Sequence, residues 1–376
     1  MKIDRRKLIG LVIGFLLAAN PVSGSLSRQK SQKLTRNKDL PFWLGWYGNM
    51  GSPDVPAKVA PKGIDLIMPY VGDSSKESIA IFLEAAKKAK VKVLLEIYRP
   101  LVESKNIPEI KKFIRTYKNH PSVCGWYLYD EPEIKTPQPI SPDLLIEVYQ
   151  AIKQEDKTKP VAIAFSEPEK IAPYSDAMDI LMWDRYPCNN DLAEYAWVPR
   201  YRGLLNQAAQ VAKTHKKEFL NILQAYAGHG LKARLPTKGE FRYMFYASVL
   251  AGTDGLLFWM YAWATPAWNE SVLYPTVKEF RPYLPAITKG KKSKNIIISA
   301  NKTDVEIKSF PIPNTSKTLV IAINHEKTQS NLTLELDKRF ANKKVTSNKK
   351  TIDRTSPQAD LKVILNPHQV QLYEIG

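Results

Sequence analysis

Eight short apolar or aromatic runs recur between residues 42 and 259: Phe42–Tyr47, Leu66–Tyr70, Val91–Tyr98, Val123–Tyr129, Val161–Phe165, Ile180–Trp183, Phe219–Leu223 and Leu256–Trp259. Unbroken apolar runs of this length, rich in Val, Ile, Leu, Tyr and Trp, are what parallel strands buried on both faces require. Longer amphipathic segments separate them. Ser75–Lys90 places Ile79, Phe82, Leu83 and Ala86 on one helical face, with lysines opposite. Asn106–Tyr117 and Pro142–Lys153 follow the same rule, and Ser141 is a good N-cap ahead of a proline at the first helical position. Thr237-Lys-Gly-Glu240 has capping-box form and opens a helix over Phe241–Leu250. Such alternation implies right-handed parallel crossovers, and eight repeats in about 250 residues fit a closed (β/α)₈ barrel. The alternative is an open, doubly wound sheet. Its glycine-rich phosphate turn is missing, because Gly48-Asn-Met-Gly51 lacks the G-x-G-x-x-G spacing.

After the basic stretch Lys289–Lys294 the rhythm changes. Asp304–Phe310, Thr318–Asn324, Asn331–Leu336, Leu361–Leu365 and Gln369–Ile375 are short β-rich runs separated by Pro, Asn, Ser and Lys clusters. All eight tryptophans lie between Trp43 and Trp268, so the composition changes at the same place. The sequence predicts a barrel over 40–290 and a small antiparallel β-sandwich over 291–376, with lysines blunting its edges.

Residues 1–24 read as an export signal. Lys2, Arg5, Arg6 and Lys7 precede the apolar run Leu8–Ala19, and Val22-Ser23-Gly24 offers small residues for cleavage. Twelve helical residues rise about 18 Å, short of a ~30 Å hydrocarbon core. An uncleaved anchor extended through Val22 is the alternative. Residues 25–39 read as a flexible lead-in. The expected location is outside the cell, in the periplasm or at the cell envelope, with no transmembrane helix once the signal is removed.

The net charge of +18 favours acidic partners such as an anionic envelope polymer. Nucleic acid is not an expected partner, since no zinc-finger spacing or RNA-binding signature accompanies the charge. Two cysteines do not make a disulfide scaffold, and the five histidines show no ligand spacing, so no metal and no cofactor are expected. The motifs G-x-S-x-G, P-loop and H-E-x-x-H are absent, which removes esterase, nucleotide-hydrolase and metalloprotease readings.

In such a barrel, reactive groups sit at the carboxyl ends of the strands. There Asp130-Glu131 ends an apolar run, where two carboxyls are costly unless paired or used. Adjacent like charges raise one pKa, which suits an acid that must protonate a poor leaving group such as a sugar oxygen. The plain alternative is a carboxylate pair capping loop amides. Trp46, Tyr47, Tyr98, Tyr186, Tyr226, Trp259, Trp263 and Trp268 also fall at or after predicted strand ends. Aromatic faces pack on the apolar faces of pyranose rings, while indole and phenol donors reach hydroxyls. Glu96, Arg99 and Gln224 complete the substrate-binding set, with Arg99 and Arg185 available either to an acidic sugar substituent or to Asp130 and Asp184.

The run Gly125-Trp-Tyr-Leu-Tyr-Asp-Glu-Pro132 resembles the strand-four signature of many barrel glycoside hydrolases, and Gly252-Thr-Asp-Gly-Leu-Leu-Phe-Trp259 resembles their strand eight. That resemblance implies a carbohydrate substrate and Glu131 as acid/base; a C-terminal β-sandwich is common in such enzymes. One departure stands out. Retaining members with glutamates on strands four and seven carry their nucleophile where this chain has Gln224, and an amide cannot take that role. Three explanations stay open. A second carboxylate comes from elsewhere, with Asp184 ahead of Glu96. Alternatively, Asp130 orients a substrate 2-acetamido group that attacks internally while Glu131 donates the proton, as in hexosaminidase-like families. Or the barrel binds glycans without turnover.

Overall fold

The computed structural model describes residues 42–49, 52–72, 74–189, 193–227, 234–290, 297–300, 304–336, 338–340, 343–347, 350–352 and 360–376. The export segment, the lead-in and the basic residues 291–294 lie outside them.

All eight predicted strands form: β1 (Trp43–Asn49), β2 (Leu66–Pro69), β3 (Lys92–Glu96), β4 (Val123–Asp130), β5 (Val161–Phe165), β6 (Ile180–Asp184), β7 (Glu218–Gln224) and β8 (Gly255–Trp259). They pair in sequence order, and β8 pairs with β1 in parallel from Trp43↔Gly255 to Tyr47↔Trp259, which closes the barrel. The helices are α1 (Val55–Val59), α2 (Lys76–Ala89), α3 (Arg99–Glu103), α4 (Ile107–Tyr117), α5 (Pro142–Glu155), α6 (Val198–Thr214) and α7 (Lys238–Ala251), with shorter helical turns following β8. Ser75 and Asn106 cap α2 and α4, and Thr237 with Glu240 closes the predicted capping box on α7. Ser141 makes no side-chain cap; Pro142 already lacks one of the amides a cap would satisfy. The β5–β6 crossover departs from the expected rhythm, carrying the 3₁₀ turns Pro168–Lys170 and Ala172–Ala177 in place of an α-helix. Among the described residues no helix is long and apolar enough to cross a membrane.

Two register shifts bear on the site. In β1 the shift falls between Tyr47 and Asn49, at Gly48, whose φ is 73°. A Cβ there would also meet the Trp259 ring at 2.7 Å, so the glycine lets that ring lie against the strand. In β4 the shift against β5 falls between Tyr127 and Tyr129. Strict alternation sends residues i and i+3 to opposite faces, and the extra residue returns Tyr127 and Asp130 to the same one.

Two antiparallel sheets follow the barrel. One runs β10 (Val305–Pro311), β11 (Thr318–Asn324), β16 (Val370–Ile375), β13 (Val345–Ser347) and β14 (Lys350–Ile352), and the other β15 (Asp360–Leu365), β12 (Ser330–Leu336) and β9 (Ile297–Ala300). Leu319, Ile321, Ile323 and Leu372 join the barrel core, whereas Val320, Ala322, Tyr373 and Ile375 pack on the second sheet. Strand β11 is therefore covered on both faces, which is why its sequence reads as an unbroken apolar run. Polar contacts complete the junction: Tyr243 Oη lies 2.7 Å from His325 Nδ1, and Tyr283 Oη donates to Glu374 at 2.7 Å. The sandwich thus buttresses α7 and the helical turns after β8.

Candidate functional site

Strand β4 ends at Asp130, and the chain then turns sharply. Glu131 adopts φ 48°, ψ 54°, a left-handed conformation uncommon for a residue with a side chain. Its amide donates to the Ala164 carbonyl at 2.9 Å, so the turn is tied to β5. Asp130 faces the barrel interior. Its Oδ1 accepts from the Tyr47 hydroxyl and from Tyr127 Oη at 2.8 Å, and its Oδ2 accepts from Arg99 Nη2 at 3.3 Å. Two phenols and a guanidinium thus converge on one carboxyl group. Arg99 is thereby engaged with Asp130 and also lies over the Tyr129 ring at 5.5 Å. Tyr47 and Tyr127 hydroxyls are 2.6 Å apart, and burial raises the pKa of both phenols well above the usual value.

Asp184 comes from the end of β6 and is 4% exposed. Its Oδ2 accepts from Tyr186 Oη at 3.2 Å, while Oδ1 is buried with no fixed donor. The half-buried Glu131 lies beside Asp184, and its charge disfavours ionisation of Asp184. Burial raises the pKa of Glu131, and the charge of Asp130 adds to it; burial raises that of Asp184 further, with Glu131 and Asp130 contributing. Of the two carboxyls, Asp184 holds its proton the more strongly.

Aromatic rings surround this group. Trp259 sits 4.9 Å from Tyr47, 5.5 Å from Tyr70 and 6.2 Å from Tyr186, nearly parallel to the last. Tyr226 meets Tyr186 edge-on at 5.3 Å, and Trp263, 46% exposed, stands edge-on to Trp259 at 6.3 Å. Tyr98 is half-buried at the start of α3. Tyr70 closes the second apolar run, a strand-end position that the sequence pattern alone makes visible. Tyr127 was not accessible that way, because only the register shift in β4 brings its hydroxyl to Asp130.

Four of the residues singled out at strand ends are engaged within the protein. Trp46 is fully buried against Phe258 and Tyr261, on the barrel's outer side. Trp268 is buried and its indole donates to the Pro236 carbonyl at 2.8 Å. Glu96 turns to the β2 loop, accepting from Val71 N at 2.7 Å and Gly72 N at 3.4 Å. Gln224 is 1% exposed, accepts from Cys188 N at 2.8 Å and donates to the Cys188 carbonyl at 2.9 Å. Its amide fastens the loop after β6 to β7 and has no face for a ligand. Cys124 and Cys188 are both free thiols.

No protein-family profile and no curated protein matches the chain. Solved structures do match. A family 27 β-L-arabinopyranosidase from Geobacillus stearothermophilus, in complex with arabinose, has a TM-score of 0.62 at 10% identity, over 90% of this chain and 98% of that one. A β-galactosidase from Bacillus circulans sp. alkalophilus gives 0.59 at 10% identity, over 90% and 100%. A family 39 glycoside hydrolase from the gut symbiont Bacteroides cellulosilyticus WH2 gives 0.58 at 12% identity, over 90% and 81%. The likeness is one of fold. The resemblance to barrel glycoside hydrolases read from strands four and eight is matched at that level.

Proposed function

We propose that the protein is an exported glycoside hydrolase in which Glu131 protonates the glycosidic oxygen and Asp184 is the assisting carboxylate. The observation that carries this reading is the meeting of Glu131, at the turn that ends β4, with Asp184, at the end of β6, two neighbouring carboxyls at the carboxyl end of the barrel whose pKa values are both raised by burial. Cleaving a glycosidic bond requires a donor still protonated near neutrality and a second carboxylate to meet the positive charge growing on the sugar ring. Glu131 is half-buried and so reachable, and its raised pKa keeps the proton available. Asp184 holds its proton the more strongly of the two, so Glu131 acts once that proton has moved onto it, and its transfer to the leaving oxygen leaves the Asp184 carboxylate beside the oxocarbenium-like ring. Asp130, held by Tyr47, Tyr127 and Arg99, fixes the negative environment of the pair. The rings of Tyr70, Tyr186, Tyr226, Trp259 and Trp263 offer surfaces for sugar stacking. The fold shared with several glycosidases agrees with this assignment. The signal-like residues 1–24 and the +18 charge fit work on carbohydrate outside the cell, including anionic envelope polymers.

The test is hydrolysis of a panel of aryl glycosides and cell-wall fragments by the native protein, Glu131→Gln and Asp184→Asn. Native turnover with a loss of about 10²–10⁴-fold in Glu131→Gln, smaller for substrates with good leaving groups, is the expected result. Background rates in all three proteins would remove the enzymatic reading. Gln224 favours a second reading, a barrel that binds glycans without cleaving them; it predicts saturable glycan binding unaffected by Glu131→Gln.

A further inference from the structure

At the barrel end opposite the candidate site, the loops that lead into β3, β4, β5 and β7 all carry lysines. One lysine from each of them bridges to a neighbouring loop, and always through a backbone carbonyl. Lys92 Nζ donates to Pro121 at 2.8 Å, Lys118 Nζ to Glu155 at 2.8 Å, Lys159 Nζ to Lys118, and Lys217 Nζ to Met178 at 2.9 Å. A carbonyl accepts one of the three ammonium protons and cancels no charge. Aspartates at this end turn inward: Asp65, Asp156, Asp179 and Asp254 accept from the backbone amides of Leu44, Lys159, Val161 and Phe219. Asp65 and Asp179 also pair with Arg281 and Lys153, and Asp156 lies 3.7 Å from Lys159. Asp176, in the loop before β6, is exposed.

Three further lysines of these loops, Lys90, Lys157 and Lys216, are exposed and have no hydrogen-bond or ion-pair partner among the described residues. Lys90 and Lys216 also take left-handed backbone angles, φ 59° and 57°, just past α2 and α6, where glycine sits without strain. Helix carboxyl ends by themselves favour nearby lysines. The carbonyl-bonded lysines meet that need, and the exposed three add positive charge turned to solvent. We propose that this end of the barrel docks on an anionic lipid surface, with phosphate headgroups as the partners of the lysines. Charge spread over four loops around the end of a closed barrel suits a plane of opposite charge. The residues that precede β1 in the chain are basic too: 25–39 hold Arg28, Lys30, Lys33, Arg36 and Lys38 against Asp39, after the apolar run Leu8–Ala19. Because the strands are parallel, Asp130 and Asp184 lie at the other end of the barrel, and a docked molecule turns its candidate site away from the lipid. The inference stands whether or not the site cleaves glycosides.

The test is co-sedimentation of the full chain with two kinds of vesicle, phosphatidylcholine alone and phosphatidylcholine mixed with phosphatidylglycerol. The native protein is expected to bind the mixed vesicles and to be released by salt. The triple variant Lys90→Gly, Lys157→Gln, Lys216→Gly is expected to remain folded, since glycine fits both left-handed positions, and to bind the mixed vesicles about 100-fold more weakly. A control removes the same charge from exposed lysines elsewhere, Lys278→Gln, Lys327→Gln and Lys362→Gln, and is expected to lose less than about 5-fold. The Leu8–Ala19 run is common to all three proteins, and the neutral vesicles read its contribution. Equal losses in the two triple variants would reduce the binding to net charge and overturn the proposal, as would native protein that shows no preference for the mixed vesicles. Retention on soluble polygalacturonate without vesicle binding would overturn it in favour of an anionic polysaccharide.

Discussion

Tyr127 and Asp130 stand three residues apart on one strand and still face the same way, with the phenol donating to the carboxylate at 2.8 Å. Tyr47, from β1, completes the group through its 2.6 Å contact with Tyr127. Two phenol protons are shared among three mutual contacts at the floor of the site, so its parts should not act independently.

Tyr127→Phe should therefore cost about 1.5 kcal/mol in urea denaturation, the usual worth of a hydrogen bond to a charged group. Tyr47→Phe should cost a similar amount. The double variant should depart from additivity by at least about 0.5 kcal/mol, since the hydroxyls also touch each other. Additive losses would mean that the two phenols do not share Asp130.

Asp184 governs a pH-dependent stability. Its raised folded pKa means the native state holds the proton more tightly than the unfolded chain. The effect is nil below the ordinary carboxylate range near pH 4, and it destabilises the fold as pH climbs from there toward the raised value. Asp184→Asn removes that penalty. Its melting temperature should exceed the native one by a margin that widens from pH 4 upward, at most about 1.4 kcal/mol per pH unit. A constant or shrinking margin between pH 4 and pH 8 would contradict the shift.

Glu240 works with the opposite sign. It is fully buried in the α7 capping box and accepts from Arg234 at 2.6 Å and from the Trp197 indole at 3.0 Å. Burial opposes its ionisation, but these bonds prevail and its pKa falls to about 2. The stability it supplies is present above its unfolded value near 4.3 and is lost as pH drops from there toward 2. Glu240→Gln should cost about 3 kcal/mol at pH 7 by leaving Arg234 unpaired, and should flatten the acid limb of the stability curve. An unchanged acid limb would assign that loss to other carboxylates.

Trp263 separates binding from folding. Nearly half exposed beside Tyr226 and Trp259, it contributes little to the core. Trp263→Ala should leave the melting temperature within about 2 °C and weaken glycan affinity roughly 10-fold, from lost stacking of about 1–1.5 kcal/mol. Unaltered affinity, measured by titration calorimetry, would place the sugar elsewhere along the rim.

The apolar runs located all eight barrel strands to within one or two residues, because burial on both faces leaves a local pattern that needs no partner to be seen. The capping box on α7 was readable for the same reason. The sandwich strands β9, β13 and β14 were not, being three or four residues long and too short to show a period. At the site, the strand-end rule found Asp130, Glu131 and Asp184. It also singled out Trp46, Glu96, Gln224 and Trp268, which share that position in the chain and whose contacts lie within the protein.

By itself, then, the sequence determined that eight buried parallel strands form and that carboxylates lie at the ends of the fourth and sixth. Only the tertiary structure decided which of those groups meet. Side-chain direction on a strand reverses with a one-residue change of register, and register is set by hydrogen bonds to strands far away in the chain. The shift in β4 turned Asp130 inward onto Tyr127, and closure of the barrel brought β6 around so that Asp184 lies against Glu131.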